Sequence, residues 1–354
     1  MSVPARRDDL VDLEGYHSAH VDVEVRLNTN ESPFPPPPAF VAALQKALVE
    51  GALNRYPDRA ALELRRAIAR YESVSVDEIF CGSGSNEVLE CLLLAFGGFK
   101  RTALVFEPTY ALHGHISQIT QTSLVSRQRG IDFVLNPTQV ANDISEVQPS
   151  LTFLCSPNNP TGNAESNDVV RSALQAGDSL IVVDEAYGQF SSESAQELRA
   201  GENAERLVIV KTFSKTWALA GVRLGYAIGD PEVIAACEAV ALPYHLSSLT
   251  QMAGILALSH VEEMDERVRE ITKERLRVSE AMSKLALRIW PSEANFILFK
   301  PLRRSGHDVW ERLVQRSVLI RDCSSWSGLE DCLRVTIGTA DENNRFLIAL
   351  EEAL

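Results

Sequence analysis

Through the middle of the chain, short apolar segments alternate with longer stretches in which apolar residues recur at helical spacing. The apolar segments at 102–106, 152–155, 180–183, 207–210 and 222–228 read as strands, and each is followed by a loop carrying polar or glycine residues. Strands alternating with amphipathic helices predict a three-layer α/β/α unit whose sheet is mostly parallel and covered on both faces. In open α/β sheets ligands collect at the carboxyl ends of the strands, so these loops are expected to converge on one site.

From about residue 246 the pattern changes. A long helical stretch at 249–287, charged between 261 and 279 and free of proline, reads as a connector into a second, smaller α+β domain. That domain is expected to hold strands at 295–299, 318–321 and 333–337 and helices at 308–316 and 343–354. The expected division is an N-terminal arm at 1–30 that joins the small domain, a large domain at 31–245 and a small C-terminal domain at 246–354. Prolines 35 to 38 form a stiff extended segment, not a linker.

Composition narrows the partners. A chain of 354 residues with 45% hydrophobic residues exceeds the size at which one core stops growing, which fits two packed units. Its formal net charge of −14, with no dense basic run, repels nucleic acid and anionic membrane surfaces. Residues 1–10 turn acidic where a secretory signal would need its apolar stretch, and the longest strongly apolar run, 91–99, is too short to span a bilayer, so the chain reads as soluble and cytoplasmic. Six cysteines sit mostly among apolar neighbours with no Cys-x-x-Cys pair, which suits reduced core thiols. His113-Gly-His115 has no accompanying carboxylate or cysteine pattern, so no metal is expected.

Three places carry chemistry. Gly82-Ser-Gly-Ser-Asn-Glu87 precedes an apolar helix at 88–95, so Ser85 and Asn86 stand where free backbone donors and the positive dipole end favour a phosphate; ordinary helix capping is the alternative. Glu87 replaces the third glycine of a dinucleotide fingerprint, and no Walker lysine follows. Asp184 ends a strongly apolar strand, where a carboxylate needs a cationic partner or a capping role. Lys215 lies in Lys211-Thr-Phe-Ser-Lys-Thr-Trp-Ala-Leu-Ala-Gly-Val-Arg-Leu-Gly225, flanked by the hydroxyls of Thr212 and Ser214 and by Arg223, a setting suited to an aldehyde cofactor that bears a phosphate.

These runs occur in a fixed order with Glu107-Pro-Thr-Tyr110, Ser156-Pro-Asn-Asn-Pro-Thr-Gly162, Val182-Val-Asp-Glu-Ala-Tyr187 and Cys332-Leu-Arg-Val-Thr-Ile-Gly-Thr339. Together they resemble the histidinol-phosphate aminotransferase family, pyridoxal-phosphate enzymes of the aspartate aminotransferase fold (fold type I), from about Tyr16 to Thr339. The resemblance implies pyridoxal 5′-phosphate held as a Schiff base by Lys215, which also carries the proton in catalysis, with Asp184 and Tyr187 as its catalytic companions. It places Asp184 against the pyridinium nitrogen, Tyr187 and Asn159 at the 3′-oxygen and Tyr110 stacked on the ring. Ser85, Asn86, Thr212, Ser214 and Arg223 are implied around the phosphate.

For the substrate, the resemblance implies Arg334 as the carboxylate clamp, Arg321 in Val318-Leu-Ile-Arg-Asp322 as a second anion-binding residue, and Tyr16 near a substrate phosphate. Asn30 belongs to the matching N-terminal substrate loop, Leu27-Asn-Thr-Asn-Glu-Ser-Pro33. In Asn54-Arg-Tyr-Pro-Asp58, Tyr56 matches a tyrosine that reaches the cofactor phosphate of the neighbouring subunit, which implies a homodimer. Asn86 stands where relatives often carry aspartate, and the run from Phe34 to Pro38 is richer in proline than is usual in the family. The implied activity is amino-group exchange between L-histidinol phosphate and 2-oxoglutarate in histidine biosynthesis. An aromatic amino acid aminotransferase and a threonine-phosphate decarboxylase-like lyase share the same skeleton; a cofactor-sensing regulator would need a fused DNA-binding segment.

Overall fold

A computed structural model describes residues 3–11, 13, 15 and 21–354. Tyr16 lies outside the described residues.

Strand β1 (Val25–Leu27) belongs to a smaller sheet completed late in the chain, and the next seven strands build the larger one. These are β2 (Ile79–Gly82), β3 (Thr102–Glu107), β4 (Ser123–Gln128), β5 (Leu151–Cys155), β6 (Leu180–Asp184), β7 (Leu207–Thr212) and β8 (Gly225–Ile228). Their order across the sheet is β2-β8-β7-β6-β5-β3-β4, and only β8 runs antiparallel to its neighbours. β5, β6 and β7 are buried at every position, as central parallel strands covered by helices on both faces must be. β9 (Leu287–Ile289), β10 (Phe296–Pro301), β11 (Val318–Asp322) and β12 (Leu333–Thr336) join β1 in the order β1-β11-β12-β10-β9.

Two expected elements differ. The strand expected at 222–228 starts only at Gly225, because Ala220–Val222 forms a 3-10 turn and Arg223 takes a left-handed conformation with φ +55°. The long helical stretch is two helices, Ser248–Ala257 and Val261–Met282. They are separated at His260, whose N–H bonds back to Ala257 O and whose ring lies 2.9 Å from Glu263 in the first turn of the second helix. Ala253, Ala257 and Met264 pack into the core beneath the larger sheet, whereas Ile271, Val278 and Met282 pack into the core of the smaller one. The change of core therefore falls inside the helix Val261–Met282.

Near the carboxyl ends of β6 and β7 lies a buried charge cluster. Lys211 Nζ on β7 stands 3.1 Å from Glu72 and 3.9 Å from Glu185, with Gln196 Oε1 at 3.2 Å. Tyr226 donates its hydroxyl proton to Glu72. Burial pushes the Glu185 carboxyl up from its usual range, and the Lys211 charge opposes that rise. Lys211→Met is expected to lower the unfolding free energy by about 3–5 kcal/mol, since two buried carboxylates lose their cation. Chemical denaturation with an unchanged m-value checks this; a loss below about 1 kcal/mol would mean that water reaches the cluster.

Candidate active site

The carboxyl ends of β5, β6 and β7 open into a cavity of about 360 Å³. One end of it is a set of donors. The helix Ser85–Phe96 begins against β8, where a Cβ on Gly225 would stand 2.2 Å from Ser85 N, so only glycine admits this approach. Glu87 turns back to accept from Ser83 N and holds His245 Nδ1 at 2.8 Å, while Ser85 and Asn86 line the cavity with first-turn N–H groups that have no intrahelical partner. Arg223 comes in over Gly84, which has φ +81° and on which a Cβ would lie 2.5 Å from Nη2. Arg223 Nη1 donates to Ser214 Oγ at 3.3 Å, and Ser214 N donates to Thr212 Oγ1 at 3.2 Å. Two hydroxyls, a guanidinium and a helix N-terminus thus converge, a donor-rich arrangement suited to a phosphate.

Lys215 is set beside this cradle by a loop folded onto the core. Phe213 stacks on Trp217 at 5.1 Å, both buried, and Leu219 N–H closes back on Phe213 O at 3.2 Å. The lysine Nζ donates to Thr29 O at 3.2 Å and lies 5.6 Å from the Tyr187 ring centre. Burial, with the charges of Arg334 and Arg223 acting in the same sense and Glu31 opposing, pushes its pKa down from 10.5 to about 8. At pH 7 the neutral fraction is then about a tenth, ~300-fold above an unperturbed lysine. In the cofactor-free protein the rate of Lys215 modification by acetic anhydride is expected to rise with pH to a plateau, with its midpoint near 8. Peptide mapping across a pH series reads this, and a midpoint above 10 would contradict it.

Asp184, at the end of β6, is buried. Its Oδ1 accepts from Ala186 N at 3.1 Å and its Oδ2 lies 3.2 Å from His113 Nε2, whose ring stacks on Phe153 at 4.8 Å. Tyr187 accepts at its hydroxyl from Asn30 Nδ2 at 2.9 Å, and Thr336 Oγ1 donates to Asn30 Oδ1 at 2.9 Å, which ties the N-terminal loop and β12 to the site. Asn158 joins the loops that carry Asn159 and Tyr110: its Oδ1 accepts from Thr109 Oγ1 at 2.9 Å and its Nδ2 donates to Pro108 O at 3.0 Å. Tyr110 donates to Asn86 Oδ1 at 3.1 Å.

Opposite the cradle stands Arg334. It is buried, donates from Nη1 to Asn159 Oδ1 and from Nη2 to Asn28 O at 2.9 Å, and lies 5.2 Å over the Phe296 ring. Its Nε is buried without a hydrogen-bond partner. A guanidinium lining a cavity with a donor left over suits an incoming carboxylate.

The expected cofactor contacts Ser85, Asn86, Tyr110, Asn159, Asp184, Tyr187, Thr212, Ser214, Lys215 and Arg223 all line this one cavity, together with Asn30 and Arg334. Arg321 does not. It stands on β11 opposite Arg334 in register, and its guanidinium lies 5.5 Å from the ring of Trp326, which does line the cavity. Tyr56 is 80% exposed and stacked on Tyr244 at 4.5 Å, away from this cavity. Sequence reasoning missed Glu31, Trp326 and His113. Glu31 sat inside a motif read only for its asparagine, Trp326 is a lone aromatic in a serine and glycine loop, and His113 was weighed as a metal ligand. Among the described residues no group of side chains could hold a metal ion, and no helix is long and apolar enough to cross a membrane.

A sequence profile of the family described as aminotransferase class I and II matches residues 22–350. A histidinol-phosphate aminotransferase of Corynebacterium diphtheriae is 40% identical over 354 residues, covering 98% of this chain and 95% of that protein. One of Frankia casuarinae is 42% identical over 361 residues, covering 98% and 90%. The chain belongs to the histidinol-phosphate aminotransferase family. The crystal structure of a histidinol-phosphate aminotransferase from Sinorhizobium meliloti, in complex with pyridoxal 5′-phosphate, superposes with a TM-score of 0.85 at 22% identity, over 94% of this chain and 90% of that one. That likeness establishes the fold, that of the pyridoxal-phosphate-dependent aminotransferases of fold type I.

Proposed function

We propose that the protein is a pyridoxal-phosphate-dependent aminotransferase that exchanges the amino group of L-histidinol phosphate with 2-oxoglutarate, in the pathway of histidine biosynthesis. The observation that carries this reading is a partly buried lysine, its pKa lowered to about 8, held between a donor-rich phosphate cradle and the Arg334 guanidinium. The relatives at about 40% identity over nearly the whole length, named histidinol-phosphate aminotransferases, supply the substrate class.

The residues fit the cofactor. The cradle of Ser85, Asn86, Thr212, Ser214 and Arg223, which closes up only because Gly84 and Gly225 carry no Cβ, suits its phosphate, and the cavity-lining Asp184 carboxylate suits a protonated ring nitrogen. When bound, pyridoxal phosphate supplies a ring that accepts electron density from the donor's α-carbon. Arg223, Ser214, Thr212 and the first-turn N–H groups of Ser85 and Asn86 keep the phosphate in place whatever Lys215 is doing. His113 orients Asp184. Neutral Lys215 Nζ removes the proton from the donor's α-carbon and returns it, a task suited to an amine with a pKa near 8. Tyr187, fixed by Asn30, and Asn159, fixed by Arg334, present polar groups to the same face. Arg334 receives the carboxylate of the 2-oxo acid.

The domain arrangement in this reading is a large cofactor-binding unit and a small unit joined by the N-terminal arm. The working assembly is a homodimer in the cytoplasm. Tyr56, Leu53 and Leu242 are 80%, 65% and 75% exposed, an apolar surface that a second copy would cover while Tyr56 reaches the partner's phosphate cradle. Arg321, from its place against the Trp326 indole, and Tyr16 serve as further anion contacts. Glutamate formation from 2-oxoglutarate, assayed with L-histidinol phosphate in the pyridoxal-phosphate-loaded protein, tests the function. Robust glutamate release is expected; none, alongside rapid turnover of L-phenylalanine, would move the activity to aromatic transamination.

A further inference from the structure

Between β11 and β12 the chain makes a tight loop whose ends close on each other, Cys323 N–H to Cys332 O at 3.0 Å. Inside it, Trp326 N donates to Cys323 O at 2.9 Å and Leu329 N donates to Trp326 O at 3.0 Å, so the backbone that carries the indole is pinned on both sides. The side chain rests on a buried apolar cluster of Trp290, Leu298, Cys323, Leu329 and Cys332. From that support Trp326 lines the same cavity as Lys215 and Arg334, with the Arg321 guanidinium 5.5 Å from its ring centre. The loop abuts the Tyr110 side of the cavity, since a Cβ on Gly328 would lie 3.9 Å from Pro108 Cδ.

The other two aromatic residues of the cavity have commitments. Tyr110 is tied to Asn86 and stands edge-on to His113, and Tyr187 is tied to Asn30 and stands edge-on to Phe296. Among the described residues Trp326 has no such hydrogen-bonded role at its ring, and its support is the apolar cluster beneath it. Building on the aminotransferase reading, we propose that Trp326 is a specificity-determining residue, the platform on which the flat ring of the amino donor packs, with Arg321 holding the indole in place. An offset-stacked ring gains from this surface, whereas the acyclic chain of glutamate or 2-oxoglutarate has no ring to place there. The residue therefore selects the donor and leaves the acceptor to Arg334.

Trp326→Leu keeps an apolar side chain on the cluster but removes the aromatic face; Trp326→Phe keeps a smaller one. In the cofactor-loaded enzyme, kcat/KM of the Trp326→Leu variant for L-histidinol phosphate is expected to fall about tenfold, mostly through KM, with a loss for L-glutamate at least about fivefold smaller. Trp326→Phe should recover most of the difference. Equal losses for the two donors, or a Trp326→Phe variant no better than Trp326→Leu, would overturn the platform while leaving the aminotransferase reading intact. If the wild type prefers L-phenylalanine, the histidinol-phosphate reading falls, and a loss selective for phenylalanine over glutamate still upholds the platform. A wild type that uses neither ring-bearing donor refutes both.

Discussion

Lys215→Ala is expected to lower turnover by about 10⁴-fold or more while leaving the protein folded and able to bind pyridoxal phosphate. The reasoning separates two jobs that fall on different residues. Anchoring rests on Arg223, Ser214, Thr212 and the start of the helix Ser85–Phe96, and these remain in the variant. Proton transfer at the donor's α-carbon rests on Lys215 Nζ, the cavity-lining amine whose pKa burial and Arg334 bring to about 8. Cofactor retained through gel filtration together with lost glutamate formation is the expected pair of results. Turnover within about tenfold of the wild type would assign the proton transfer to another group.

The second large effect is expected at Asp184. Asp184→Asn keeps the size and the contact with Ala186 N but removes the negative charge facing the cavity from below, and kcat should drop by about 10²–10³-fold. KM for 2-oxoglutarate should change little, because the acceptor's carboxylate goes to Arg334 on the other side of the cavity. Steady-state kinetics with the acceptor varied reads both numbers. A raised KM with kcat preserved would mean that Asp184 serves substrate binding, and that its pairing with His113 at 3.2 Å is packing alone.

How much of this was legible in the sequence depended on whether the determinant is local. The central strands were, because β5, β6 and β7 are buried on both faces and so read as unbroken apolar runs. The residues following them were legible too, since parallel strands deliver their carboxyl ends to one edge, which is how Asn159, Asp184 and Lys215 come to share a cavity. The break at His260 was not, because nothing like a proline interrupts 249–287; two cores compete for the helix, and only the tertiary structure shows where one stops. Nor could the pattern place Arg321. Arg321 and Arg334 are register partners across β11 and β12, and Trp326, which lines the cavity and takes the Arg321 guanidinium against its ring, belongs to a loop whose path the strand pattern does not set. The link between His113 and Asp184 spans 71 positions and arises only when the fold brings the His113 ring of the helix Ala111–Ile119 onto Phe153 of β5 and beside the end of β6.

The most direct test of the histidinol-phosphate reading is a single-turnover titration of the pyridoxal-phosphate-loaded protein with L-histidinol phosphate and, separately, with L-phenylalanine, following the visible absorption of the cofactor. Rapid, complete conversion by histidinol phosphate, at least about tenfold more efficient than by phenylalanine, is the predicted result. Faster conversion by phenylalanine would contradict it and place the protein among aromatic aminotransferases.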